Sequence, residues 1–106
     1  MGQARAVRLR FTAPALADLA SILDYLAEQS PQGARRVQAR IRTMIALLPN
    51  HPQIGVRTDD PTIRRLLTSP YPYAIFYEIA ADEIIIHTIR HGARDPDEPT
   101  RSEEKR

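Results

Sequence analysis

Two amphipathic stretches joined at a single serine constrain the first half of this chain more than any other feature. Leu16, Leu19, Leu23 and Leu26, with Ile22, recur at spacings of three and four, while Asp18, Asp24 and Glu28 fall elsewhere around the same helical wheel. That helix runs to about Gln29. Ser30 followed by Pro31 is an N-cap with proline at the first helical position. Ala34, Val37, Ile41, Met44, Ile45 and Leu48 then make a second stripe, which ends before Pro49. With so short a joint the two helices must fold back as an antiparallel hairpin, and both stripes need a shared partner.

Strand-like segments on either side supply it. Ala6 to Phe11 alternates Val7, Leu9 and Phe11 against Ala6, Arg8 and Arg10, the period-two pattern of a half-buried strand. Thr12 is placed to cap the first helix, Pro14 is harmless so early in it, and Phe11 and Leu16 occupy the positions of a hydrophobic staple. Asn50 to Thr62 has no period and reads as a loop. Ile63–Thr68 reads as a strand, as does Tyr73–Ile79, with Tyr73, Ile75, Tyr77 and Ile79 on one face and Ala74, Phe76 and Glu78 on the other. Ala80 to Glu83 is a tight connection, and Ile84–His91 is the last strand. Connections this short exclude crossovers, so these three strands form an antiparallel meander. The expected fold class is α+β in the order β-α-α-β-β-β, with the helix hairpin packed on a small, mostly antiparallel sheet. Residues 1–94 are expected to form one domain, and residues 95–106, which contain no large apolar side chain, a flexible charged tail.

Charge is distributed unevenly. The net charge is only +2, yet residues 1–94 carry 12 Arg against 8 acids, and residues 95–106 carry 3 basic residues against 5 acids. Fourteen of the 15 basic residues are Arg, whose planar fork suits carboxylates and phosphates. Arg35, Arg36, Arg40 and Arg42 lie off the apolar stripe of the second helix and form either a solvated face or an anion-binding one. The absence of cysteine excludes thiolate nucleophiles and zinc–thiolate sites. No apolar run approaches the roughly 20 residues that span a bilayer, and no signal-type block opens the chain, so a cytoplasmic protein without membrane contact is expected. No cofactor is implied. A metal site built from His87, His91 and Asp95 would require the chain to fold back at Gly92, and no metal is expected.

The segment Ile63 to Pro96 carries a family resemblance. Arg64-Arg65-Leu66, then Tyr71-Pro72-Tyr73 leading into Ile75-Phe76-Tyr77, then Ile89-Arg90-His91-Gly92-Ala93-Arg94 resemble, in order, signatures of the ParE branch of the RelE/ParE superfamily of type II toxins. Upstream, Ala15-Leu16-Ala17-Asp18-Leu19, Ser30-Pro31 and His51-Pro52-Gln53-Ile54-Gly55 are also similar, so the resemblance covers about Val7 to Pro96. It implies the same β-α-α-β-β-β fold. It also implies a toxin that poisons DNA gyrase and is neutralised by a cognate antitoxin, ParD-like or similar, with an acidic segment laid across the apolar parts of hairpin and sheet.

Three activities are compatible with these residues: a gyrase-binding poison that makes no bond itself, a ribosome-dependent mRNA endoribonuclease of the RelE type, and an inactive antitoxin-binding module. Cleaving RNA through its own 2′-hydroxyl needs a proton acceptor, a proton donor and cations on the phosphate. His87 and His91, four apart on one strand, are expected to point the same way about 13 Å apart, too far for both to act on one phosphate. RelE-type enzymes resemble one another in a Lys and Arg cluster with a late Tyr, whereas Lys105 is the only Lys here and no Tyr follows Tyr77. No catalytic residue is therefore expected; were the chain a ribonuclease, His91, Arg94, Arg65 and Tyr73 would form its site. The candidates for contacting target or antitoxin are Arg64, Arg65, Tyr73, Tyr77, His87, Arg90, His91 and Arg94. Each also has a structural role open to it: His91 at the strand end, Tyr73 and Tyr77 as core aromatics, Arg64 and Arg65 paired with Asp59, Asp60 or Glu78.

Overall fold

The structure, a computed structural model, describes residues 7–92. The elements are β1 (Arg8–Phe11), α1 (Ala13–Gln29), α2 (Pro31–Leu47), β2 (Val56–Arg57), β3 (Ile63–Leu67), β4 (Tyr73–Ile79) and β5 (Glu83–His91). They form one five-stranded sheet in the order β1-β5-β4-β3-β2 with the helix hairpin on one side, the α+β arrangement expected. The tail at 95–106 and Ala6 at the start of the first expected strand lie outside the described residues.

Ser30 makes the hairpin possible because it serves both helices. Its extended backbone (φ −163°, ψ 107°) ends α1 with an N–H donated to Leu26, and its hydroxyl accepts the Gly33 N–H at 3.0 Å to begin α2. Pro31, at the first position of α2, has no N–H to leave unpaired. The buried face of α2 is Ala34, Val37, Ile41 and Ile45, four of the six residues in the expected stripe.

Meander strands β3, β4 and β5 pair antiparallel as expected, with Leu66 opposite Ile75 and Ile75 opposite Ile89. Two features escaped the sequence pattern. Inside the expected loop, Val56 and Arg57 pair antiparallel with Arg65 and Arg64; two residues are too short to show a period. The first strand pairs parallel with the last, Arg8 opposite Glu83 through Phe11 opposite Ile86.

The core lies between hairpin and sheet. Tyr73, Ile75 and Tyr77 of β4, Ile84, Ile86 and Ile89 of β5 and Leu66 of β3 pack there with Val37, Ile41, Ile45 and Leu48. In α1 only Ala15 is buried, and Leu16 is 55% exposed. The staple expected between Phe11 and Leu16 is therefore absent from the core, which Phe11 lines and Leu16 does not. Methyl-sized Ala15 is the residue that faces inward there.

Close approach of α1 also finishes the edge of β5. Beyond Phe11 the strand loses β1 as neighbour, and α1 takes over. The Thr12 N–H donates to Ile86 O (3.0 Å), the Thr12 hydroxyl to His87 O (2.9 Å), and Asp18 accepts the Ile89 N–H (3.0 Å). Asp18→Ala would leave that N–H, on a residue only 2% exposed, without its acceptor. It is expected to cost about 1–3 kcal/mol in urea unfolding. A cost near zero would show that water reaches this edge.

Candidate functional site

The opposite face of the sheet carries no helix, and its side chains are set by register. Rows run across it: Arg10, Ile85, Glu78 and Ile63; then Thr88, Phe76, Arg65 and Val56; then Arg90, Ala74 and Leu67. A β-bulge breaks the alternation of β5. Phe76 pairs with Thr88 and Tyr77 with Ile86, so His87 is the extra residue.

The bulge corrects the expected placement of the histidines. Without it, His87 and His91 would share a face; with it they are on opposite sides. His87 faces the open side, its Nε2 2.8 Å from Glu78 Oε1. His91 is on the helix side, edge-on to Tyr73 with ring centroids 5.5 Å apart.

Glu78 and His87 line an open cavity of about 540 Å³ together with Phe76, Thr88, Arg90 and Ile63, with Asp60 and Thr62 at its rim. Asp60 accepts the backbone N–H (2.9 Å) and hydroxyl (2.8 Å) of Thr62, and these bonds hold its carboxyl below the usual carboxylate range. Arg65 stands on the same face, across from Phe76. At the β1 edge Arg10 pairs with Glu83 at 3.3 Å.

The remaining candidates are placed elsewhere. Tyr77 is fully buried, its hydroxyl donating to Pro52 O (2.6 Å) and accepting the Gly55 N–H (2.9 Å). Arg64 reaches the same loop, donating to Gly55 O at 2.7 Å. Tyr73 is buried in the core, 7% exposed. Arg94 lies outside the described residues. The structure thus gathers His87 and Arg90 in one cavity with Arg65 beside it, and joins His91 to Tyr73 on the other face. Phe76 and Glu78 were not among the candidates, although the alternation of β4 had already put both on the face away from the core.

Burial pushes both the Tyr73 and Tyr77 phenols above the ordinary tyrosine value; at Tyr77 the Gly55 N–H and Arg64 oppose the shift in part. The unfolded chain therefore releases these protons first as pH rises, so it holds fewer protons than the native state and stability falls. Stability should be unaffected by these groups below about pH 10 and decline above it as the unfolded phenols ionise. Urea midpoints across the alkaline range test this, with Tyr73→Phe expected to flatten the decline.

The sequence profile describing the ParE toxin of type II toxin–antitoxin systems matches residues 9–96. The chain belongs to this toxin family. Among its relatives, Toxin RelE2 of Caulobacter vibrioides is 41% identical over 80 residues, covering 76% of this chain and 89% of that protein. Y4kP of Sinorhizobium fredii is 36% identical over 85 residues, covering 80% of this chain and 88% of its own. A chain from a solved structure described as a chromosomal ParDE toxin–antitoxin system of P. aeruginosa superposes with a TM-score of 0.69 at 25% identity, over 80% of this chain and 95% of that one. The family resemblance and fold expected from the motifs are those found, and the profile begins and ends within two residues of the expected span. Among the described residues of this ParE-family toxin no helix is long and apolar enough to cross a membrane.

Proposed function

We propose that this toxin arrests growth by binding DNA gyrase and trapping its cleaved-DNA intermediate, with no bond made or broken by the toxin itself. The match of the ParE profile across residues 9–96 carries this reading. The distribution of proton-transfer groups supports it: His91 and Tyr73 are packed on the helix side, and the Tyr77 hydroxyl is bonded within the fold. Gyrase is a cytoplasmic target, which fits the expected location. Purified gyrase should lose supercoiling activity and accumulate cleaved DNA as toxin is added. Unchanged supercoiling at excess toxin would reject the proposal.

Neutralisation on this reading is by an antitoxin with an acidic, partly apolar segment. The outer side of α1 supports it, because Leu16 and Tyr25 are 55% and 61% exposed and no element of the chain covers them. Co-purification of the toxin with the product of an adjacent acidic reading frame tests this, and Leu16→Glu should weaken the complex.

One observation favours the second reading, a ribosome-dependent mRNA endoribonuclease. His87, oriented by Glu78 and beside Arg90, puts a base and a cation on one open surface. Transcript cleavage in a translation reaction that is lost on His87→Ala and kept on His91→Ala would establish it over the gyrase reading.

A further inference from the structure

The charge asymmetry of the chain and the geometry of its last described residues meet on the open sheet face. At Gly92 the backbone N–H donates to Pro72 O at 2.7 Å, and its α-carbon lies against Ala74 and Leu67: a Cβ placed there would be 3.8 Å from Ala74 Cβ and 3.9 Å from Leu67 Cδ2. Ala74 and Leu67 belong to the row that contains Arg90, and Arg65 and Phe76 form the next row. The chain therefore leaves β5 alongside the cationic end of the open face. Glu78 and Asp60 are at the opposite end of that surface, next to His87 and Ile63. Leu67, 49% exposed, adds an apolar contact.

The sequence after Gly92 is suited to that end of the face. Asp95, Asp97 and Glu98 come three to six residues later, and Pro96 and Pro99 restrict the backbone between and after them. A span of three to six residues reaches at most about 10–20 Å, enough to come back over two neighbouring rows of one sheet and not enough to wander far from it. The toxin profile stops at residue 96, so most of this acidic stretch is additional to what defines the family.

We propose that residues 95–106 of this chain occupy its own open sheet face in the free toxin, with Asp95, Asp97 and Glu98 over the Arg65 and Arg90 end. The contact is a built-in competitor: an anionic partner approaching this face must displace the tail first, whichever target the toxin has. Arg35, Arg36, Arg40 and Arg42 on α2 are the alternative basic surface, but they belong to the hairpin on the other side of the sheet.

Because the chain has no cysteine, Thr100→Cys gives a single attachment point for a nitroxide on the full-length protein. In low salt the label should broaden the amide signals of Arg65, Phe76, Thr88 and Arg90. The broadening should disappear in about 1 M salt, where charges are screened beyond about 3 Å, and in the triple variant Asp95→Lys, Asp97→Lys, Glu98→Lys. Labelled protein diluted into unlabelled, isotope-enriched protein separates contact within a chain from contact between copies. Broadening centred on α2, broadening only between copies, persistence in the triple variant, or no localised broadening would each overturn the proposal. These substitutions fall outside the core, and an unchanged circular dichroism spectrum will show that the fold is intact.

Discussion

Tyr77→Ala should lower the unfolding free energy by about 3–5 kcal/mol, the cost of removing a buried aromatic side chain from a packed core. That is a large share of the roughly 5–15 kcal/mol that holds a small domain together. Tyr77 is 0% exposed in the centre of the cluster between hairpin and sheet, and it is also the post to which the Pro52–Gly55 loop is tied. Tyr77→Phe separates the two roles. It keeps the ring and leaves the Gly55 N–H and the Pro52 carbonyl without their partner, for an expected cost of about 1–3 kcal/mol. Urea unfolding of both variants gives the comparison. A Phe variant as stable as wild type would mean that the hydroxyl does not hold the loop, and a Tyr77→Ala cost below that of Tyr77→Phe would contradict the packing argument altogether.

Gly55→Ala should destabilise the same junction from the other side. A Cβ at position 55 would stand 2.8 Å from the Arg65 carbonyl oxygen and 2.8 Å from both Cε1 and Oη of Tyr77. The carbonyl belongs to the β3 backbone and the ring is locked in the core, so neither is free to move aside. Over-packing of this kind costs about 1–3 kcal/mol and occasionally more; for a domain of this size each kcal/mol lowers the melting temperature by roughly 4–8 °C. Combining Gly55→Ala with Tyr77→Phe should recover little, because the Arg65 oxygen and the ring carbon remain in place. Full recovery in the double variant would assign the whole clash to the hydroxyl.

What the sequence revealed, and what it hid, follows from which physical signals have a period. Tyr73–Ile79 was legible residue for residue because strict alternation marks a strand with two different faces. The helix boundaries at Gln29 and Pro31 were legible because a capping serine and an early proline are local signals. Val56–Arg57 was not, since its pairing depends on a partner strand and leaves no mark in two residues. The outward turn of Leu16 was hidden by the same averaging: the stripe predicted which side of α1 is apolar, not that Ala15 would let the helix approach so closely that only the smaller side chain fits beneath it.

The site was partly legible. Arg65, His87 and Arg90 were on the candidate list and do share one face, and the alternation of β4 contained the information that Phe76 and Glu78 join them. The bulge at His87 could not be read, because one extra residue in a strand changes only register, and register is a property of two strands. That single residue moved His91 through the sheet and decided which histidine stands in the open cavity.

The pairing of β1 with β5 has a consequence for the making of the protein. The first strand of the chain has its sheet neighbour at Glu83–Ile86, and α1 completes the edge of that same late strand. An emerging polypeptide therefore holds its opening segments unpaired until almost all of it has left the ribosome, and such distant contacts are slow to close. A toxin assembled in this order is harmless to the ribosome that produces it for nearly the whole of translation. Fragments from interrupted synthesis lack the strand around which the sheet forms, so poisoning begins only with molecules translated at least through β5.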